Sequence, residues 1–144
     1  MGLSGNGVLL ACIDSGVDYA HPDFCAPDGT SRIAILWDQT IPGNPPMGYA
    51  LGSVYTRQQI NEALASSTPE ERFALVPSRD VTGHGTAVLG IAAGNGRSSA
   101  YAAMRGVAPE ATLVVVKLGN PDPADLPRTC LLYTSPSPRD GLLS

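Results

Sequence analysis

Apolar residues gather along this chain in short unbroken runs. Val8-Leu9-Leu10-Ala11-Cys12-Ile13 has no polar alternation and closes on Asp14-Ser15-Gly16. Such a run predicts a central parallel strand covered on both faces. Arg32 to Trp37 (RIAILW) and Ala111 to Leu118 (ATLVVVKL) predict a second and a third strand. Between them, Thr86 to Ala93 is a small-residue apolar stretch that predicts a buried helix, with Gly94 just past its end in a left-handed conformation. His84 then falls on the first turn, and Gly83 and Gly85 leave its ring open to a cleft. Strand, helix and strand in this order predict an α/β fold with a parallel sheet.

The intervening segments carry their own signals. Val17 to Phe24 is a loop, because Pro22 keeps His21 out of a helix. Residues 38–50, rich in Pro and Gly, form a surface loop. Thr56-Arg57-Gln58-Gln59 has capping-box spacing with Tyr55 and Ile60 placed as a hydrophobic staple, which predicts an amphipathic helix over 57–66. Thr68-Pro69-Glu70-Glu71 is another helix start. Both helices read as decoration on the surface of the core. Arg97 to Met104 is a Ser/Ala-rich loop, and Gly106 to Glu110 a turn.

Composition narrows the class without deciding it. At 144 residues, 43% apolar and 15% charged, the chain is one globular domain or a piece of one. A net charge of −4 with scattered Lys and Arg gives no reason to expect a nucleic-acid partner. No apolar run approaches the ~20 residues of a membrane span, so no membrane partner is expected, and the first residues lack the pattern of a signal peptide. Cys12, Cys25 and Cys130 make neither a zinc spacing nor an even-numbered disulfide framework.

Chemistry enters with a pair. A carboxylate at the end of a buried strand is costly unless donors reach it. A histidine at a helix start sits near the positive end of the dipole, which disfavours imidazolium. Together Asp14 and His84 resolve both difficulties. The carboxylate accepts from one imidazole nitrogen, fixes the tautomer, and stabilises the cation formed when the other nitrogen takes a proton. That is a general base in want of a nucleophile.

The surroundings of the pair are specific. Ile13-Asp14-Ser15-Gly16-Val17-Asp18, with His21-Pro22-Asp23-Phe24 beyond, resembles the aspartate motif of the subtilisin-like serine peptidases. Gly83-His84-Gly85-Thr86-Ala87-Val88-Leu89-Gly90 resembles their histidine motif, and Gly106-Val107-Ala108-Pro109 before the strand Leu113 to Lys117 is a third shared feature. The resemblance covers about residues 5 to 120. It implies a doubly wound α/β sandwich with a parallel central sheet, present here incompletely. It also implies a serine endopeptidase working through an acyl-enzyme on protein or peptide substrates, with Asp14 orienting and His84 as base. The stretch between the two, with Arg32 to Trp37 followed by Asp38-Gln39-Thr40, is similar to clostridial subtilases that include spore-germination proteases. Localisation is left open, since members of the family are often secreted and germination-type relatives are spore-associated.

The departures from the family pattern matter as much. Its nucleophilic serine lies in a Gly-Thr-Ser motif opening a later helix, and this chain has none. Ser98 and Ser99 sit in a loop, and Ser15 adjoins Asp14 on a strand end where it cannot also face His84. Asn95, in Ala93-Gly94-Asn95-Gly96, mimics the oxyanion asparagine but follows the histidine helix directly, so it reads as helix-end structure. Ser15, Gly16, Gly83 and Gly85 read as turns and close packing, and His21 as a loop residue. Some members hold calcium at the Asp23 position, but no partners for it can be identified, so no cofactor or metal is assigned. The alternative to an enzyme is a pseudoprotease that binds and regulates a partner. A haloacid-dehalogenase-type phosphatase would need a second acid where Gly16 stands, and a dinucleotide fold would need its glycines after the strand.

From Pro121 the texture changes. Cys130-Leu131-Leu132-Tyr133-Thr134-Ser135-Pro136-Ser137-Pro138-Arg139-Asp140 resembles a translated sequencing adaptor. The expected organisation is therefore residues 1–129 as the amino-terminal part of a subtilisin-like domain and 130–144 as a foreign tail. Without its later strands such a piece should leave Val114 to Val116 poorly covered, as an aggregation-prone edge.

Overall fold

A computed structural model describes residues 3–99 and 104–119. The expected domain boundary at 129, the tail 130–144 and its serines Ser135 and Ser137 lie outside the described residues. Four strands form one sheet: β1 (Leu9–Asp14), β2 (Ile33–Asp38), β3 (Ser53–Thr56) and β4 (Thr112–Lys117). Their spatial order is β1-β4-β2-β3, with β4 parallel to both neighbours and β3 antiparallel to β2. The three apolar runs are thus the three parallel strands. β3 is an addition that the sequence reading assigned to no strand. It abuts α1 (Arg57–Leu64) so closely that Thr56 both ends the strand and caps the helix.

Register fixes which side chains share a face. Leu10, Cys12 and Asp14 lie opposite Leu113, Val115 and Lys117, and Leu36 and Asp38 flank the same row. Onto that face pack α1, through Ile60 and Ala63, and α3 (His84–Ala93), through Leu89 and Ala93. α1 is therefore a part of the core rather than decoration. α2 (Pro69–Leu75) has no buried residue and is surface structure as expected. Both helices carry the complete capping boxes that their sequences predict.

The opposite face is different. Leu9 and Ile13 of β1 are 64% and 50% exposed, and among the described residues no helix covers them. The continuous apolar run of β1 thus has cover on one side only. The expected weak edge also moves: among the described residues β4 is an interior strand and the edges are β1 and β3, of which β1 is the parallel, apolar one. The hydrogen-bonding rim at risk of pairing with another chain is that of Leu9–Asp14, not of Val114 to Val116. Among the described residues no helix is long and apolar enough to cross a membrane.

α3 carries His84, and both of its ends are held. At its carboxyl end Arg32 reaches across from the start of β2 and donates to Ala93 O at 2.7 Å, Asp23 O at 3.0 Å and Ala111 O at 3.0 Å. A cation there complements the helix dipole and satisfies carbonyls that have no helical partner. Gly94 is not left-handed, with φ −59°; it is glycine because a Cβ would lie 2.6 Å from Gly90 O. The left-handed residue is at the other end: Gly83, the N-cap, has φ 76°.

Candidate active site

The helix begins at His84, two residues before the apolar run, because side chains outside it satisfy its first amides. Gly83 N donates to Asp80 Oδ1 (3.0 Å) and Thr86 N to Asp80 Oδ2 (2.8 Å), while Gly85 N donates to Ser15 Oγ (3.0 Å). Four amides of a first turn normally lack partners, and glycine as N-cap supplies no side chain. Asp80 does that work from three residues upstream of the N-cap. It also accepts from Ser15 Oγ (2.8 Å) and Thr86 Oγ1 (2.6 Å), so one carboxylate ties the end of β1 to the start of α3. Burial pushes its carboxyl up, but the donors from Thr86, Ser15 and Gly83 outweigh this and hold it below the usual 3.8.

Sequence reasoning missed Asp80. An acid shortly before a helix start was the available signal, but its partners Ser15 and Thr86 become neighbours only in the fold. Its contribution is present above pH 3.8 and is lost as pH falls through its depressed folded value. Asp80→Ala should cost about 2–4 kcal/mol at pH 7, since several part-buried donors lose their acceptor. Urea unfolding should show this deficit shrinking as pH falls through the depressed folded value, where the parent chain loses the same charge-assisted bonds.

Close packing completes the junction. A Cβ at Gly85 would lie 2.1 Å from Gly16 O and 3.1 Å from Asp14 Cβ, so only glycine lets the helix reach β1 here. Gly16 has φ 121°, a conformation that side chains rarely adopt. Ser15, Gly16, Gly83 and Gly85 are thus turns and close contacts, as the sequence reading holds.

This junction brings the pair together. His84 Nδ1 lies 2.7 Å from Asp14 Oδ1, across 70 positions of sequence. The same oxygen accepts from Ser15 N at 2.6 Å. An ionised carboxylate can only accept, so Nδ1 donates and Nε2 carries the free lone pair. The hydrogen bond to Asp14, then the charge of Asp14, raise the His84 pKa above 6.5, and the small desolvation of the ring opposes them without prevailing. The ring is 65% exposed, so it stands on an open surface and not in a closed cleft among the described residues.

The remaining singled-out residues have structural places. Ser15 Oγ is engaged by Asp80, Thr82 and Gly85 and points into the junction. His21 caps a short 3-10 turn, its Nδ1 accepting from Asp23 N. Asn95 Nδ2 donates to Cys25 O at 2.7 Å, a helix-end role. Asp23 Oδ1 accepts from Ser98 N. Burial, with Asp14 and Asp80 nearby, pushes the Cys12 thiol up to about 11, which leaves it protonated and unreactive at neutral pH.

The chain is similar to known proteins in sequence and in fold. A family model described as "Subtilase family" matches residues 5–127, most of the chain. The chain belongs to the subtilase family. Its sequence is 28% identical over 121 residues to the minor extracellular protease Vpr of Bacillus subtilis, covering 84% of this chain and 11% of that protein. The structure of the Clostridium perfringens CspB protease matches with a TM-score of 0.66 and 36% identity, over 81% of this chain and 22% of that one. The likeness to clostridial subtilases drawn from the 32–40 segment agrees with this subtilase match. The chain spans about a tenth to a fifth of the length of these relatives, and its α/β fold is the corresponding incomplete subtilisin-like one. Both of these relatives are named as proteases.

Proposed function

We propose that this chain supplies the acid and base of a subtilisin-like serine endopeptidase triad. Asp14 orients His84 and stabilises its cation. His84 Nε2 takes the proton of a serine hydroxyl as that oxygen attacks a peptide carbonyl, and returns it to the departing amine. The observation that carries the reading is the 2.7 Å contact between Asp14 Oδ1 and His84 Nδ1, with the other ring nitrogen free and exposed. The substrates are proteins or peptides, as the protease names of Vpr and CspB support.

The family's Gly-Thr-Ser motif is absent from these 144 residues, so the reading predicts that the chain alone is inactive. The expected result is no peptide hydrolysis above a His84→Ala control. Continuing the natural reading frame past Thr129 should reveal Gly-Thr-Ser opening an apolar helix, and the extended protein should react with a fluorophosphonate at that serine. A frame that carries another residue there would favour the pseudoprotease instead. The intact pair favours the enzyme, because a protein that only binds has no need of a tuned base.

A further inference from the structure

Three strands end on a charge in one row of the sheet: Asp14 on β1, Lys117 on β4 and Asp38 on β2. Asp14 serves His84, but the other two are not part of the pair. Lys117 and Asp38 are 3% and 0% exposed, with Nζ 3.9 Å from Oδ2. Lys117 Nζ donates to Arg79 O at 2.6 Å, and Ser78 Oγ donates to Asp38 Oδ2 at 2.6 Å. Thr40, through its amide (2.8 Å) and hydroxyl (2.6 Å), fills the other Asp38 oxygen. A buried ion pair of this kind contributes little stability relative to an apolar pair of like volume. What it supplies is direction.

That direction leads to the active site. Ser78, Arg79 and Asp80 are consecutive: the first two are fixed by the buried pair, and the third ties β1 to the amides of α3. The Lys117 stem and Arg79 O also close on Gly16, each 3.1 Å from where a Cβ there would be. We propose that Lys117 and Asp38 are positioning residues for the Asp14–His84 pair, holding the 78–80 segment in the place from which Asp80 sets the histidine loop against β1. This deepens the reading of that same site, but its test follows the titration of His84 and not hydrolysis, so the two fail separately.

The carboxylates that act on His84 are Asp14 from β1 and Asp80 from the segment before α3; α3 itself carries no other charge. Deuterium exchange at the histidine ring carbon, read by mass spectrometry, gives the titration of His84 separately from His21 at low protein concentration. In Lys117→Met the thermal transition should fall, because Asp38 is left buried and unpaired. In Lys117→Met/Asp38→Asn it should recover. In both, His84 should titrate lower than in the parent chain, toward 6.5. Simple charge removal has the opposite sign: losing a nearby cation raises the histidine in the single variant and leaves the double one unchanged. A His84 titration that is unchanged or raised in the double variant overturns the proposal. If neither variant folds, Ser78→Ala, which cuts only the bond to Asp38, must shift His84 in the same downward direction, and no shift there overturns it.

Discussion

Replacing His84 with alanine in the protein read through the continued frame should lower turnover by about 10⁶, the scale set by loss of a triad member in enzymes of this type. That is about 8 kcal/mol of transition-state stabilisation. The size follows from roles that fail together. Without Nε2 the serine proton has no acceptor, and without an imidazolium the leaving amine has no donor. Asp14→Asn should cost less, about 10⁴, because an amide can hold the ring but fixes the wrong tautomer and stabilises no cation. Assays of both variants beside the parent, on one peptide substrate at saturating concentration, check the order as well as the magnitude. Equal, small losses in the two would place the base elsewhere.

Gly85→Ala should be the most damaging single methyl group in the described chain. Its Cβ would sit 2.1 Å from Gly16 O, far inside contact distance, and the obstacle is backbone. Gly16 is itself crowded, with Arg79 O and the Lys117 side chain each 3.1 Å from where its Cβ would be. The first turn of α3 must therefore lift away from β1. Overpacking of this kind costs about 3 kcal/mol or more, and it also draws His84 Nδ1 out of reach of Asp14. Gly90 lies in the same helix, and a Cβ there meets nothing within 4 Å. Gly90→Ala should instead stabilise the chain by about 0.5–1 kcal/mol, by removing backbone freedom from the unfolded state. Denaturant midpoints of the two variants must move in opposite directions. If both fall together, the close approach at Gly85 is not what shapes the junction.

The three parallel strands were legible because each is a dense apolar run, and the two capping boxes because their signals are local. The Asp14–His84 pair was legible as two motifs rather than as a distance. Other features depend on neighbours that only the fold creates. Ser53–Thr56 is four residues long, with Ser53 and Tyr55 inward and Val54 and Thr56 outward, and its last residue reads first as a helix cap. Asp80 precedes a helix whose own N-cap is glycine, and nothing nearby in sequence names Ser15 as its partner. Asp38 falls in the segment that reads as a surface loop and Lys117 within the third apolar run, yet both are buried, and nothing near either in sequence names the other as its partner. The one-sided cover of β1 could not be read from Val8 to Ile13, since an apolar run reports what a strand can tolerate and not which layers are present. A helix-end rule predicts a left-handed Gly94, whereas its glycine answers to the close approach of Gly90 O.

The central claim is that Asp14 and His84 act as one unit, and the titration of His84 in this chain tests it most directly. Ring-carbon deuterium exchange across pH should place His84 above 6.5 in the parent, with Asp14→Asn bringing it down to that value or below. A raised value means that the ion pair contributes stability below pH 6.5 and loses it as pH rises through the folded pKa, so the difference in stability between the two proteins should narrow at alkaline pH. A His84 that titrates alike in both proteins would contradict the coupling, and with it the general base.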